Sequence, residues 1–276
     1  MNRTHRAWVD GVALWSPTLP GWEVAAVALR GGPLPAEQAS RPAPALLAAN
    51  DRRRAPDSVL LALEVAAAAL AASGRAAADV ATVFASAHGD LPITDALCKT
   101  LAAGPRLLSP TRFHHSVHNA ASGYWAMGSG STAASTALAA AEGSFATGLL
   151  EALAQCAADT APVMLVAYDS EATGALRSVN SSRGLLAVAL LLAPKPAGPA
   201  SWALDWHTGP GAVSVPAAQS AAALALQANA SSPALPLFEA LARGEDAALA
   251  WPISATLALH LQLINPASAR PRVAAA

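Results

Sequence analysis

Cysteine is nearly missing from this chain: Cys98 and Cys156 are the only two. Without a CxxC spacing they support neither a disulfide framework nor a structural zinc site, and nothing points to a secreted scaffold. Charge is scarce as well, at 13% of residues, and almost balanced, with 17 Lys and Arg against 18 Asp and Glu. Chain-wide electrostatics therefore gives no support for binding nucleic acid or a membrane surface. Long hydrophobic runs are lacking too. The most continuous one, residues 185–193, is far too short to cross a bilayer. The first ten residues carry Arg3, His5, Arg6 and Asp10 and have no unbroken apolar core of a signal peptide. The expectation is a cytoplasmic protein. Aromatic residues make up only 5%, and much of the 54% hydrophobic fraction is alanine. The core must then be built from Leu, Val, Trp and Phe. That much apolar side chain excludes a disordered chain, and 276 residues fit one large domain.

Hydrophobic patterning places strands at residues 8–15, 80–87, 162–168 and 184–193. Gly11 inside the first of them marks a bulge or a close backbone approach. Residues 17–56, rich in Pro, Gly and Arg, read as an irregular surface stretch with one short helix. From Asp57 to about Gly74 a helix is expected that is apolar almost all round, the mark of an element sandwiched between layers. Further helices are expected at 93–102, 119–127 and 142–157. After Pro194 the pattern weakens into linkers and helical pieces at 219–228, 235–243 and 253–264. Strands alternating with apolar helices argue for a layered α/β fold with a mostly internal sheet.

Three local patterns invite a chemical reading and fail it. The histidines of Phe113-His114-His115-Ser116-Val117-His118 have no local carboxylate or thiol to complete a metal site, so a buried polar loop with imidazoles bonded to backbone is the simpler reading, and no metal is expected. Gly128-Ser129-Gly130-Ser131-Thr132 matches neither a Walker loop nor a dinucleotide fingerprint. Gly143-Ser144-Phe145-Ala146-Thr147-Gly148 lacks the GxSxG spacing of a hydrolase elbow. No motif nominates a cofactor.

Taken together, three stretches form a recognisable set: Ser109-Pro110-Thr111-Arg112-Phe113-His114-His115-Ser116-Val117-His118-Asn119-Ala120-Ala121-Ser122-Gly123-Tyr124-Trp125, then Ser144-Phe145-Ala146-Thr147-Gly148-Leu149-Leu150-Glu151-Ala152, then Val163-Met164-Leu165-Val166-Ala167-Tyr168-Asp169. With the first strand and the Ser86-Ala87-His88-Gly89-Asp90 turn, they resemble the β-ketoacyl-synthase-like N-terminal domain over residues 8–193. More narrowly they resemble the short chain length factor subunits of aryl polyene and xanthomonadin-type pigment clusters. The resemblance implies a thiolase-like layered fold of helices and mixed sheets, shorter than a full ketosynthase, with residues 194–276 as an abbreviated C-terminal segment on the same core. It also implies a cysteine nucleophile at the start of a buried helix, where the helix dipole and free N–H groups stabilise a thiolate, and two histidines in the second half.

This chain departs from that pattern. Alignment through the downstream helix puts Glu142 nearest the nucleophile position, with Gly143 or Ser144 as register alternatives, and none is cysteine. Neither His207 nor His260 has the sequence context of the synthase histidines. Glu142 has two readings, a carboxyl group that plugs a vestigial acyl pocket or aids decarboxylation, and an ordinary first-turn acid of a helix. The implied role is that of a non-catalytic subunit paired with a cysteine-bearing β-ketoacyl synthase, served by an acyl carrier protein, with Phe113, Tyr124, Trp125 and Phe145 as tunnel or interface residues that set chain length in fatty-acid-like or polyketide-like synthesis. The competing reading is a free-standing acyltransferase or thioesterase using Ser144, and a third is a scaffold that only binds carrier protein.

Overall fold

A computed structural model describes residues 4–211 and 213–268. In chain order it contains β1 (His5–Ser16), β2 (Leu19–Pro20), α1 (Trp22–Leu29), α2 (Ala49–Arg54), α3 (Asp57–Ser73), β3 (Ala81–Ala85), α4 (Leu91–Ala103), α5 (Pro110–Ser116) and α6 (Ala120–Ser129). These are followed by β4 (Ser135–Leu138), α7 (Ser144–Asp159), β5 (Val163–Asp169), β6 (Leu186–Ala193), β7 (Trp202–Pro210), α8 (Ala221–Leu224), α9 (Leu235–Arg243), β8 (Ala247–Pro252) and β9 (Leu257–Ile264).

The eight consecutive apolar residues of β6 are all buried, so both faces of the strand need cover. Side chains alternate across a strand. Leu186, Val188, Leu190 and Leu192 accordingly join one core with α1, α7, α8 and α9, while Ala187, Ala189 and Leu191 join a second with α3 and α6. The sheet between these layers runs β4-β3-β5-β6-β1-β7-β9-β8, with β2 added beside β1. β4, β3 and β5 are parallel, and the remaining pairs are antiparallel. α3 starts after Pro56 and stops at Gly74, whose left-handed φ of 68° ends the helix. It packs so closely on β1 that a side chain at Gly11 would run into the Ala69 carbonyl, and the β1–β6 register shifts between Val9 and Gly11.

α7 packs on β3 and β5, yet its Phe145 meets Trp251 of β8, with ring centroids 5.6 Å apart. Five strand spacings separate β5 from β8 in the sheet order, about 24 Å if the sheet were flat. The sheet therefore curls until its far end closes over α7.

Several sequence expectations need correction. Residues 17–56 hold two helices, and α1 is no surface element, because Ala25, Ala26, Ala28 and Leu29 are buried against α9. The small residues before α7 include a strand, β4. Residues 253–264 contain β9 where a helix was expected, since the sheet recruits Leu259, Leu261 and Leu263 into the core on alternate positions. The piece at 219–228 narrows to α8, and β7 and β8 lie in regions read as linker or left unassigned. The histidine cluster begins on helix α5 where a loop was expected, and only Ala121 and Trp125 of α6 are buried. The strands after residue 193 continue the sheet through β7, which pairs with β1.

Candidate functional site

The strand-to-helix turn from β4 into α7 is built largely from small residues, Ala139, Ala140, Ala141 and Gly143 around Glu142, folded tightly enough that Ala141 takes a left-handed φ of 47°. A non-glycine residue in that region carries backbone strain, which surrounding contacts must hold. Here the Ser144 Oγ does so, accepting from the Ala140 N–H at 2.9 Å and donating to the Ala141 carbonyl at 2.7 Å. One turn on, Gly148 lets α7 approach β3: a Cβ there would lie 2.7 Å from the Ala85 Cβ. The helix thus begins at Ser144 and the expected start, Glu142, belongs to the single turn before it.

Beside this elbow lies a cavity of about 390 Å³, lined by His88, Glu142, Asn180, Ser182, Gln227 and Asn229 among others. Glu142 is exposed at its wall. Behind the cavity, at the end of β5, Asp169 is buried. Its Oδ1 accepts from the Ser86 Oγ at 2.9 Å and the Ala87 N–H at 3.0 Å, and its Oδ2 accepts from the Ser231 Oγ at 2.8 Å. Burial pushes this carboxyl up to about 6 despite those donors.

The sequence-derived candidates do not converge on one place. Ser144 is buried, and both bonds of its hydroxyl are to the turn's own backbone, neither to a base. Phe145 is buried under Trp251 on one side of the sheet, and Trp125 belongs to the core on the other side, with α3. Those two cannot line a single tunnel within this chain. Phe113 is 61% exposed on α5, and Tyr124 on α6 is half-buried, its hydroxyl 2.9 Å from the His115 Nε2. Burial lowers the His115 imidazole, with His114 beside it adding to the effect. His118 Nε2 is 3.0 Å from the Ser86 carbonyl, whereas His114 is exposed. Among the described residues no three His, Cys, Asp or Glu side chains come together as a metal site.

Cys156 is buried on α7, its thiol pushed up to about 11 by burial, and Cys98 is exposed on α4. His207 and His260 are directly opposite each other on β7 and β9, rings stacked 4.8 Å apart. Their neighbours Trp206 and Leu261 face the α7 core, so strand alternation turns both histidines to the other face, away from the elbow.

Sequence reasoning missed Asn180, Ser182, Gln227 and Asn229. They come from loops that only the folded sheet brings to the elbow, and Asn229 earns its place by bonding the carbonyls of Asp169, Arg183 and Gly184. Two polar amides next to helical pieces gave no local signal.

A sequence profile described as the N-terminal domain of β-ketoacyl synthase matches residues 27–252. No curated protein matches. Among solved structures, a ketosynthase (ApeO) in complex with its chain length factor (ApeC) from Xenorhabdus doucetiae is 21% identical, covering 92% of this chain and 98% of that one, with a TM-score of 0.67. The ishigamide ketosynthase/chain length factor is 15% identical over 94% and 99% of the two chains, at 0.68. The AntDE:AntF complex, an acyl-carrier protein with its ketosynthase, is 12% identical over 95% and 100%, at 0.70. At such identities the likeness carries the fold: thiolase-like, mixed α/β, with helices layered on the sheet.

Proposed function

Because the chain belongs to the β-ketoacyl synthase N-terminal domain family, we propose that it is a chain length factor, a subunit that pairs with a cysteine-bearing β-ketoacyl synthase and runs no condensation of its own. The observation that carries this reading is the elbow itself. Where the resemblance puts the family's nucleophile, the turn reads Ala140-Ala141-Glu142-Gly143-Ser144, and neither cysteine is there. Cys156 lies on the fourth turn of α7, too buried and too weakly acidic to serve. Glu142, at the wall of the elbow cavity, stands as the remnant of the nucleophile position. Residues 8–193 act in this reading as the synthase-like domain, whose sheet β7, β9 and β8 continue.

The pairing surface we assign is the free edge of β4 with α5 and α6. Among the described residues β4 pairs only with β3, and it leads straight into the elbow. Phe113 on α5, Val117 just after it and Met127 on α6 are exposed, at 61%, 41% and 68%. Of the cations there, Lys99 is paired with Asp95 at 2.6 Å, while Arg106 and Arg112 are exposed and favour an acidic opposing surface. Phe113 and Tyr124 are then the side chains placed to reach a partner's acyl tunnel and to limit product length, of the polyene or fatty-acid-like kind, delivered on an acyl carrier protein. The ApeO and ApeC pair and the ishigamide pair, both synthases with a chain length factor, support the pairing itself. Coexpression with a candidate synthase tests it: the two chains should copurify, and Phe113→Ala and Tyr124→Ala should shift the product distribution. Separate elution of the chains would reject the pairing.

A further inference from the structure

The walls of the elbow cavity come from distant parts of the chain. One is the Ser86–His88 turn at the end of β3, and the other is the Asn229–Ser231 turn ahead of α9. They are tied together at one residue. The carboxylate of Asp169 receives Ser86 Oγ and Ala87 N–H on one oxygen and Ser231 Oγ on the other. Its backbone carbonyl receives Asn229 Nδ2 at 3.1 Å, and Asn229 Oδ1 in turn accepts the Ser231 N–H at 2.9 Å. On the other wall Ser86 Oγ accepts the Gly89 N–H at 2.9 Å, which fixes the turn that carries His88.

We propose that Asp169 is a positioning residue whose ionised carboxylate holds the His88 wall and the Asn229 wall at one separation, and so sets the shape of the cavity in which Glu142 stands. This rests on the reading of that cavity as the vestigial acyl site. An ionised carboxylate only accepts hydrogen bonds, with room for about four donors. A proton on Oδ1 would face the Ala87 N–H, which can only donate, and a proton on Oδ2 is accommodated only if the Ser231 hydroxyl turns from donor to acceptor, so protonation either loosens the clamp or reverses its Ser231 bond. Asp169 has no ion-pair partner among the described residues, and an uncompensated buried charge is costly to fold around. Asn in its place would turn an NH2 group toward one set of these donors. Retaining the acid is explained by the geometry it enforces.

The titratable groups around it are Tyr168 on β5 and Asp90 at the start of α4, His88 on the turn, His118 bonded to the Ser86 carbonyl, and Glu142 across the cavity. Burial lifts Asp169 into the mildly acidic range, to about 6.

The test uses the full chain labelled with nitrogen-15, following the Ala87 and Ser231 amides from pH 4.5 to 8. Both amides should move with one shared midpoint, one from each wall, and both steps should be lost in Asp169→Asn while His88→Gln keeps them. A step at Ala87 with none at Ser231, or a step that survives in Asp169→Asn, overturns the proposal. Should Asp169→Asn fail to fold, Ser231→Ala decides the matter: the Ala87 step should remain and the movement of the Asn229–Ser231 turn should be lost, and movement of both as before would contradict the clamp. The amides do not report on pairing with a synthase, so a failed pairing assay and a failed clamp are separate results.

Discussion

Phe145 and Trp251 meet edge to face at 69°, one on the helix after the elbow and the other on the edge strand at the far end of the sheet. Both are buried, and the Trp251 Nε1 donates to the Pro233 carbonyl at 2.9 Å, so the contact also fixes the segment leading into α9. Trp251→Ala should cost about 3–5 kcal/mol in urea unfolding. In a double-mutant cycle with Phe145→Ala the coupling should be about 0.5–1.5 kcal/mol, and additive losses would mean that the rings do not meet.

Two glycines with opposite surroundings give opposite predictions. Gly11→Ala drives a methyl group into the Ala69 carbonyl of α3 and should destabilise strongly or prevent folding. Gly123→Ala, on α6 with open space around the new Cβ, should raise stability by about 0.5–1 kcal/mol through helix propensity. Thermal melts of the two variants check both, the Gly11 variant testing the packing of β1 on α3 directly.

The aromatic residues of the central segment should divide by burial. Trp125→Ala removes a side chain only 3% exposed, packed with α3, and should cost about 3–5 kcal/mol. Phe113→Ala should change the stability of the isolated chain by no more than about 0.5 kcal/mol, because the ring is already in water. Its effect should appear in binding to the synthase, measured by titration calorimetry. An equal loss of stability in both variants would contradict the placement of Phe113 on the free surface.

Asp169 also predicts a pH dependence of stability. Its folded value lies above the usual carboxylate range, so the folded chain holds this proton more tightly than the unfolded one. The contribution is fully present below about pH 4 and is lost as the pH rises through about 6. Subtracting the urea midpoints of Asp169→Asn from those of the parent chain should isolate a difference that moves against the parent across that window. Asp95, held low chiefly by its bond to Lys99, runs the opposite way in both proteins and cancels in the subtraction.

The central layers were legible from the sequence because their residues are apolar on every side. β6, β5 and α3 are buried on two faces, so no amphipathic period is needed to recognise them. β9 carried a readable signal that the helical reading overrode: Leu257, Leu259, Leu261 and Leu263 alternate with Ala258, His260 and Gln262, a period of two. β4 had no such signal, since its four residues are held by parallel pairing with β3 more than by burial. At the site, Glu142 and the turn holding His88 were within reach of motif reasoning. The left-handed Ala141, the use of Ser144 to lock the turn, and the approach of Asn229 were not, because each depends on contacts made only after the chain has folded back on the elbow.

The most direct test of the account is intact-mass analysis of this chain and a copurified, cysteine-bearing synthase after incubation with an acyl-loaded carrier protein. The account predicts acyl mass on the synthase alone, with this chain unmodified. Acyl mass on this chain, lost in Ser144→Ala or Glu142→Gln, would contradict it.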